Sequence, residues 1–373
     1  MLINVSLVGA KLGDSSQTNW QYFSLLNRVI AGFSLVASFS YFVVINKLSK
    51  YIINYRFAAL IIAAILIRVF SIIASPNPSI DVFYLLRDGP RLLLHGENPY
   101  KLDYPAPYGV YNPTIQFVYG PLVAFLFLPA DIIFNDPRYT LVFFELISAT
   151  FIFLIGKKLS IDRPTTEVIT IIFLFHPLFP FITEHSWLEP VIFTFIAAGV
   201  YFRTVKNANL GSLLLGAILA IKVVYALPLL VYLKSKGSRF RDFLIFLIIP
   251  TLLTIPFLWT DKELFIKRTL FDSGAIQNVP RLTNVSLNVS AVLLKYFHVV
   301  IPLYLVVLIG IAFSLIVIYL PKEKNSLIAL FLTFFILFMV GPYLVLNYFY
   351  LLGNILLLAL LCFLSKKEIP ERA

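Results

Sequence analysis

Apolar runs close to 20 residues long recur along this chain, and they constrain its fold more than any other feature. Phe23 to Ile45, Phe57 to Ala74, Phe243 to Trp259 and Tyr343 to Leu364 approach the roughly 20 residues that a helix needs to cross hydrocarbon. Hydrophobic residues fill 60% of the 373 positions and charged residues only 13%, too few polar groups to cover a surface in water. In lipid the backbone must satisfy its own hydrogen bonds, and these runs lack the period-two alternation of a barrel, so helices remain. The expected fold is an all-α polytopic bundle of about ten to twelve transmembrane helices, at roughly 20 residues per crossing. It divides into residues 1–54 with one extra span, a transmembrane module at 55–260 and a final loop with helices at 261–373.

The net charge of +11 raises nucleic acid as a partner, but its distribution excludes that reading. Assigning segments 46–56, 157–167, 203–208, 234–242, 321–325 and 365–373 to the cytoplasm gives them 17 Lys and Arg against 6 Asp and Glu, and leaves 13 of each sign elsewhere. The whole excess then falls on one side, as the positive-inside rule requires. The lone Cys362 leaves no intrachain disulfide. The first 20 residues, with Lys11 and Asp14, lack the ordered regions of a cleavable signal peptide, so the first span is expected to stay as an anchor.

Two segments depart from one crossing per run. Thr114 to Phe134 contains Gly120-Pro121, Pro129 and Asp131; a carboxylate costs about 2.5 to 3.5 kcal/mol at a bilayer centre, so this run is expected to dip in or lie along the interface. Leu210 to Leu233 is basic at both ends, which predicts two short half-helices turning near Lys222, a lone ammonium deep in the protein. Arg68, near the outer end of its span, is expected to snorkel. Glu145 in mid-span calls for a buried cation that the sequence does not identify. Asn4, Asn284 and Asn288 each begin an Asn-x-Ser sequon, a pattern frequent by chance that serves only as a check on whether they face outward.

With this topology the longest polar segment, Ser75 to Pro113, faces outward. Val82, Leu85, Leu86, Leu92, Leu93 and Leu94 supply the apolar positions of a helix lying on the membrane surface. Asp81 stands where the chain leaves the second span. It can serve as the N-cap of the following helix, or as a carboxylate at the water-lipid boundary that meets both a lipid-borne head group and a water-borne hydroxyl.

The run Asp81-Val-Phe-Tyr84, then Gly96-Glu-Asn-Pro-Tyr100 and Tyr111-Asn-Pro113 resembles the first outer loop of GT-C superfamily glycosyltransferases, closest to the polyprenol-phosphate-mannose-dependent mannosyltransferases. Thr114 stands where that pattern has a second proline. Further similarity lies in His176-Pro177 with Thr183-Glu-His-Ser-Trp-Leu-Glu189, in Gly216-Ala-Ile-Leu-Ala-Ile-Lys222 followed by Pro228, and in Pro280-Arg281 with Ser286 and Ser290. The resemblance implies a hexosyl transfer, mannose first, from a polyprenyl- or dolichyl-phosphate donor to a glycan or lipid acceptor at the outer face of the cell membrane. Asp81 would be the base. Lys222, Arg281 and Arg138 would meet the donor phosphate, and Tyr84, Asn98, Tyr100, Tyr111, Glu184, His185, Trp187 and Glu189 would contact substrate. No cofactor is required, although a divalent cation near Glu189 is compatible with some relatives.

From the residues alone, Glu184, His185 and Glu189 carry no Lys or Arg nearby in sequence and also suit solvated loop acids. Tyr84, Tyr100, Tyr104, Tyr108, Tyr111 and Trp187 suit an interfacial aromatic belt, with Tyr100 or Trp187 as the aromatic face for a sugar. The competing function is a transporter or lipid-linked-glycan flippase, with Lys222 and Glu145 as charges on its path. A non-catalytic assembly subunit is the third class.

Overall fold

The computed structural model describes residues 50–76, 78, 80–105, 114–271, 286–318, 326–341 and 344–365. The apolar run at 23–45, Arg281, Tyr108, Tyr111, Asn4 and Asn284 lie outside them. Helix α1 (Lys50–Ala74) leads to the surface helix α2 (Asp81–Leu94) and to a short antiparallel ribbon, β1 (Asp103–Pro105) with β2 (Thr114–Gln116), in which Tyr104 faces Ile115. There follow α3 (Pro121–Phe134), α4 (Arg138–Lys158), α5 (Arg163–Leu174), α6 (Phe179–Glu184), α7 (Glu189–Thr204) and α8 (Ala208–Ala217). The chain ends with α9 (Ala226–Ser235), α10 (Phe240–Phe246), α11 (Ile248–Ile266), α12 (Val289–Phe297), α13 (Leu303–Ile318), α14 (Ser326–Val340) and α15 (Leu346–Phe363).

Among the described residues the fold is all-α apart from that ribbon, and its apolar helices mark a membrane protein. Fewer of them are long than the apolar runs suggest. Among the described residues three helical segments, Tyr55–Ala74, Arg138–Lys158 and Leu346–Phe363, are long and apolar enough to cross a membrane; α10 and α11, bent by 42° at Leu247, make a fourth if taken as one span. Among the described residues the expected ten to twelve are therefore not present as full-length helices. Breaks cut the other runs into pieces of 10–17 residues, and a 14-residue helix such as α3 rises only about 21 Å at 1.5 Å per residue.

Helix α1 shows how lipid solvation inverts the usual pattern. Its exposed stripe is Ile62, Leu66, Phe70 and Ile73, while Ala64, Arg68, Ser71 and Ile72 are buried. Arg68 does not snorkel. It donates from Nε to Glu145 Oε2 of α4 at 2.5 Å, from Nη1 to the Ala64 carbonyl at 3.1 Å and from Nη2 to the Leu174 carbonyl at the end of α5 at 2.7 Å. Its guanidinium carbon lies 4.2 Å from the Phe179 ring centroid in α6. Tyr350 of α15 completes the network, donating to Glu145 Oε1 at 2.7 Å. Arg68 is thus the cation that Glu145 requires.

Asp131 is likewise paired. It is buried, and Arg91 of α2 holds it at 2.5 and 2.9 Å, tying the surface helix to α3. Small residues let other helices approach closely. A Cβ added at Gly216 of α8 would stand 1.8 Å from the Phe246 carbonyl oxygen in α10. Ser148 of α4 and Thr194 of α7 share a hydrogen bond at 2.6 Å. Asn288 is buried, caps α12 by accepting from Ala291 N at 3.0 Å, and donates to the Phe338 and Gly341 carbonyls at the end of α14.

Replacing one partner of a buried pair strands the other charge, which costs about 3–5 kcal/mol. Arg68→Met is expected to lose that much stability in thermal unfolding of detergent-solubilised protein. The double replacement Arg68→Met with Glu145→Met is expected to recover most of the loss.

Candidate functional site

Helix α2 begins where the chain turns away from the end of α1. Ile80 occupies the N-cap, with an extended backbone and no side-chain cap. Asp81 is therefore the first helical residue rather than the cap, and its Oδ1 accepts from Val82 N at 2.8 Å. Its own backbone N–H also donates to the carboxylate, and among the described residues no ion pair holds it. Burial raises its pKa above the ordinary carboxylate value, so this acid is a stronger base than one in water. Val82, Leu85 and Leu86 pack the helix onto the core.

Phe83, two residues on, lies 5.2 Å beneath the guanidinium of Arg138. Arg138 opens α4 and is fully buried. Asp136 grips it through Nε at 2.9 Å and Nη2 at 2.6 Å, and also accepts from its backbone N–H at 2.9 Å. Nη2 also reaches the Ile72 carbonyl of α1 at 3.3 Å. Its Nη1 lies 3.8 Å from Glu184 Oε2, beyond hydrogen-bond distance, and both atoms are buried without a hydrogen-bond partner. Ser75, just after α1, donates to Glu184 Oε1. Burial pushes the Glu184 pKa up to about 7 despite the Ser75 bond and the Arg138 charge, both of which lower it.

Glu184 closes α6, and the next residues turn back through Ser186 at φ 56° into α7. His185 is buried, and burial lowers its pKa to about 4, leaving it neutral. Its Nδ1 lies 3.0 Å from the Phe181 carbonyl, which assigns the proton to Nδ1. Trp187 packs against it with ring centroids 4.6 Å apart. Thr183 Oγ1 and Ser186 Oγ are buried and unpartnered, like the two atoms between Arg138 and Glu184. The acids of this turn are thus enclosed rather than solvated, and cations distant in sequence face them.

The second cation is Lys222. The half-helices expected from the charge pattern are present: α8 ends in a 3-10 turn at Ile218–Ala220, Lys222 is extended, and a second 3-10 turn at Val223–Tyr225 leads into α9. Helix α8 packs on α7 and α10, while α9 packs on α13 and α14. Gly120, at the start of α3, docks against the break. Its N–H donates to the Ile221 carbonyl at 2.8 Å, and a Cβ there would stand 2.2 Å from the Ala220 carbonyl oxygen. Lys222 Nζ donates to Glu189 Oε1 at 3.0 Å and lies 5.6 Å from the ring centroids of Tyr225 and Tyr348. Tyr225 also reaches Glu189 Oε1, at 3.4 Å, whereas Glu189 Oε2 is buried without a partner.

Other expected site residues are used for packing. Tyr100 is 1% exposed, donates to the Tyr119 carbonyl at 2.7 Å and meets Phe117, Phe257 and Phe265 edge-on. It has no face left for a sugar. Asn98 accepts from Tyr100 N at 3.0 Å, an Asx turn that shapes the loop. Tyr84 is half-buried and lies 5.0 Å from the Arg87 guanidinium. Ser286 and Ser290 donate to the Leu344 and Val340 carbonyls. Among the described residues no three His, Cys, Asp or Glu side chains group as metal ligands.

Sequence reasoning missed Ser75, Asp136 and Tyr348. Asp136-Pro137 directly before a helical run is a start signal that marks Asp136; nothing local marks Ser75 or Tyr348. No known family, curated protein or solved structure matches the chain.

Glu184 sets a pH dependence. Its folded pKa is about 7 against an ordinary 4.5, so between those values the folded chain holds a proton that the unfolded chain releases. Stability then falls as pH rises through that window, by at most about 3 kcal/mol at about 1.4 kcal/mol per unit. The lowered pKa values of His176 and His185 give the opposite slope below pH 6.5, so the informative quantity is the difference between native protein and Glu184→Gln. That difference is expected to grow from pH 4.5 to 7 in thermal unfolding and to level off above.

Proposed function

We propose that the chain is a multi-pass membrane glycosyltransferase that moves a hexose, mannose first, from a polyprenyl- or dolichyl-phosphate donor to a hydroxyl of a glycan or lipid acceptor. The site lies on the extracytoplasmic face, within a GT-C type bundle in which the short helices complete ten to twelve passages. The observation that carries this reading is the Asp81 carboxylate. It stands at the head of a surface helix, free of any cation among the described residues, with its pKa raised by burial.

The chemistry needs one base. Asp81 accepts the proton of the acceptor hydroxyl as that oxygen attacks the anomeric carbon from the face opposite the phosphate, and the configuration inverts. The bond to the phosphate oxygen breaks, and the phosphate leaves with the electron pair. It needs no proton from a second acid, unlike the departing alcohol of an inverting hydrolase. Its charge is met by cations: Arg138, whose Nη1 is buried without a partner, Lys222, which would exchange Glu189 for phosphate, and Arg281, outside the described residues. A fork and an ammonium recognise phosphate in different ways, and partial burial strengthens both.

The flippase reading loses one of its path charges, because Glu145 is fixed by Arg68 and Tyr350. Incubation of purified protein with labelled dolichyl-phosphate mannose or glucose, together with membrane lipids and glycans, tests the proposal. Label should move to an acceptor, and Asp81→Asn should lower turnover about 10²- to 10⁴-fold while donor binding and melting temperature persist. Because the base must be ionised, turnover should rise with pH through the raised Asp81 pKa. Undiminished transfer in Asp81→Asn would remove the assignment.

A further inference from the structure

A groove opens where α9, α10 and α13 meet, away from the cluster around Asp81. It has a volume of about 310 Å³ and is walled by Leu227 and Leu230 of α9, Phe243 of α10, and Ile311 and Leu315 of α13. Ser314 also borders it, but its hydroxyl is bonded to the Gly310 carbonyl at 2.6 Å. The walls therefore offer hydrocarbon and no free hydroxyl.

Charge selects the occupant. Lys234 stands in the last turn of α9 at the groove's edge. It is exposed, and among the described residues no acid pairs with it. Arg239 and Arg241 follow closely, and the one acid of that stretch, Asp242, accepts from the Arg239 backbone N–H. A hydrocarbon slot ending at an ammonium that no acid pairs with among the described residues is complementary to an amphiphile with one chain inserted and an anionic head group.

We propose that this groove holds one acyl chain of an anionic phospholipid, with the head-group phosphate on Lys234. The inference rests on the membrane character of the chain and is independent of the transferase reading. The test uses the full chain in phosphatidylcholine nanodiscs doped with phosphatidylglycerol bearing a photoactivatable group on one acyl chain, with labelled peptides mapped by mass spectrometry. Label is expected on the α9 and α13 segments. Lys234→Ala should weaken phosphatidylglycerol occupancy about fivefold, the contribution of one lysine near an anionic surface, and Lys234→Arg should retain it. Leu315→Trp should fill the groove and abolish labelling, with an unchanged melting temperature as the check on folding. Equal labelling by a phosphatidylcholine probe, or labelling that survives Leu315→Trp, would overturn the proposal. So would displacement of the probe by polyprenyl phosphate at lower concentration than by phosphatidylglycerol, which would give the groove to an isoprenoid lipid instead.

Discussion

The buried pair between Arg68 and Glu145 organises the structure. A guanidinium and a carboxylate taken out of water each lose several kcal/mol of solvation, and the loss is tolerable only where every donor and acceptor is met. Here α1 brings the cation, α4 the anion, α15 the tyrosine hydroxyl and α5 a terminal carbonyl. Four helices are fixed by one constellation. Hydrocarbon supplies no comparable specificity, since lipid solvates an apolar helix face as well as another helix does.

That constellation lies beneath the candidate site. Phe179 under Arg68 belongs to α6, and α6 ends at Glu184, so the ion pair sets the height of the turn that carries Glu184, His185 and Glu189. A second device positions Lys222. The paired 3-10 turns leave that residue extended, and Gly120 lets the loop before α3 bond to the break by its backbone. Rigid contacts of this kind would serve the proposed transfer, in which a phosphate and a sugar are held in fixed relation.

Several polar atoms in this region are buried without a hydrogen-bond partner among the described residues: Arg138 Nη1, Thr183 Oγ1, Glu184 Oε2, Ser186 Oγ and Glu189 Oε2. Orphaned groups are costly in a low-dielectric interior. They lie along one stretch of the fold, from the start of α4 through the α6–α7 turn, and Asp81 begins the helix that packs against Arg138 through Phe83. Their chemistry, one guanidinium, two hydroxyls and two carboxylates, matches a ligand with both acceptor and donor oxygens.

Much of this was legible beforehand, for definite reasons. Hydropathy and the segregation of Lys and Arg report the solvent of each segment, so the helical membrane class, the short run at Thr114–Phe134 and the break at Lys222 could be read from local composition. Asp81 stood out for its place where the chain leaves an apolar run and for the resemblance of Asp81-Val-Phe-Tyr84 to a GT-C outer loop. Pairing was not legible. Arg68 looked free to reach water, and the acids at 184–189 suited solvation as well as substrate contact, because their partners Glu145, Arg138 and Lys222 lie 77, 46 and 33 residues away. Tyr100 looked like a sugar platform until Phe257 and Phe265 closed over it. Composition determines which side chains must leave lipid; only the tertiary fold decides which charge each of them meets, because an ion pair depends on distance in space and that distance is set by the packing of helices remote in sequence.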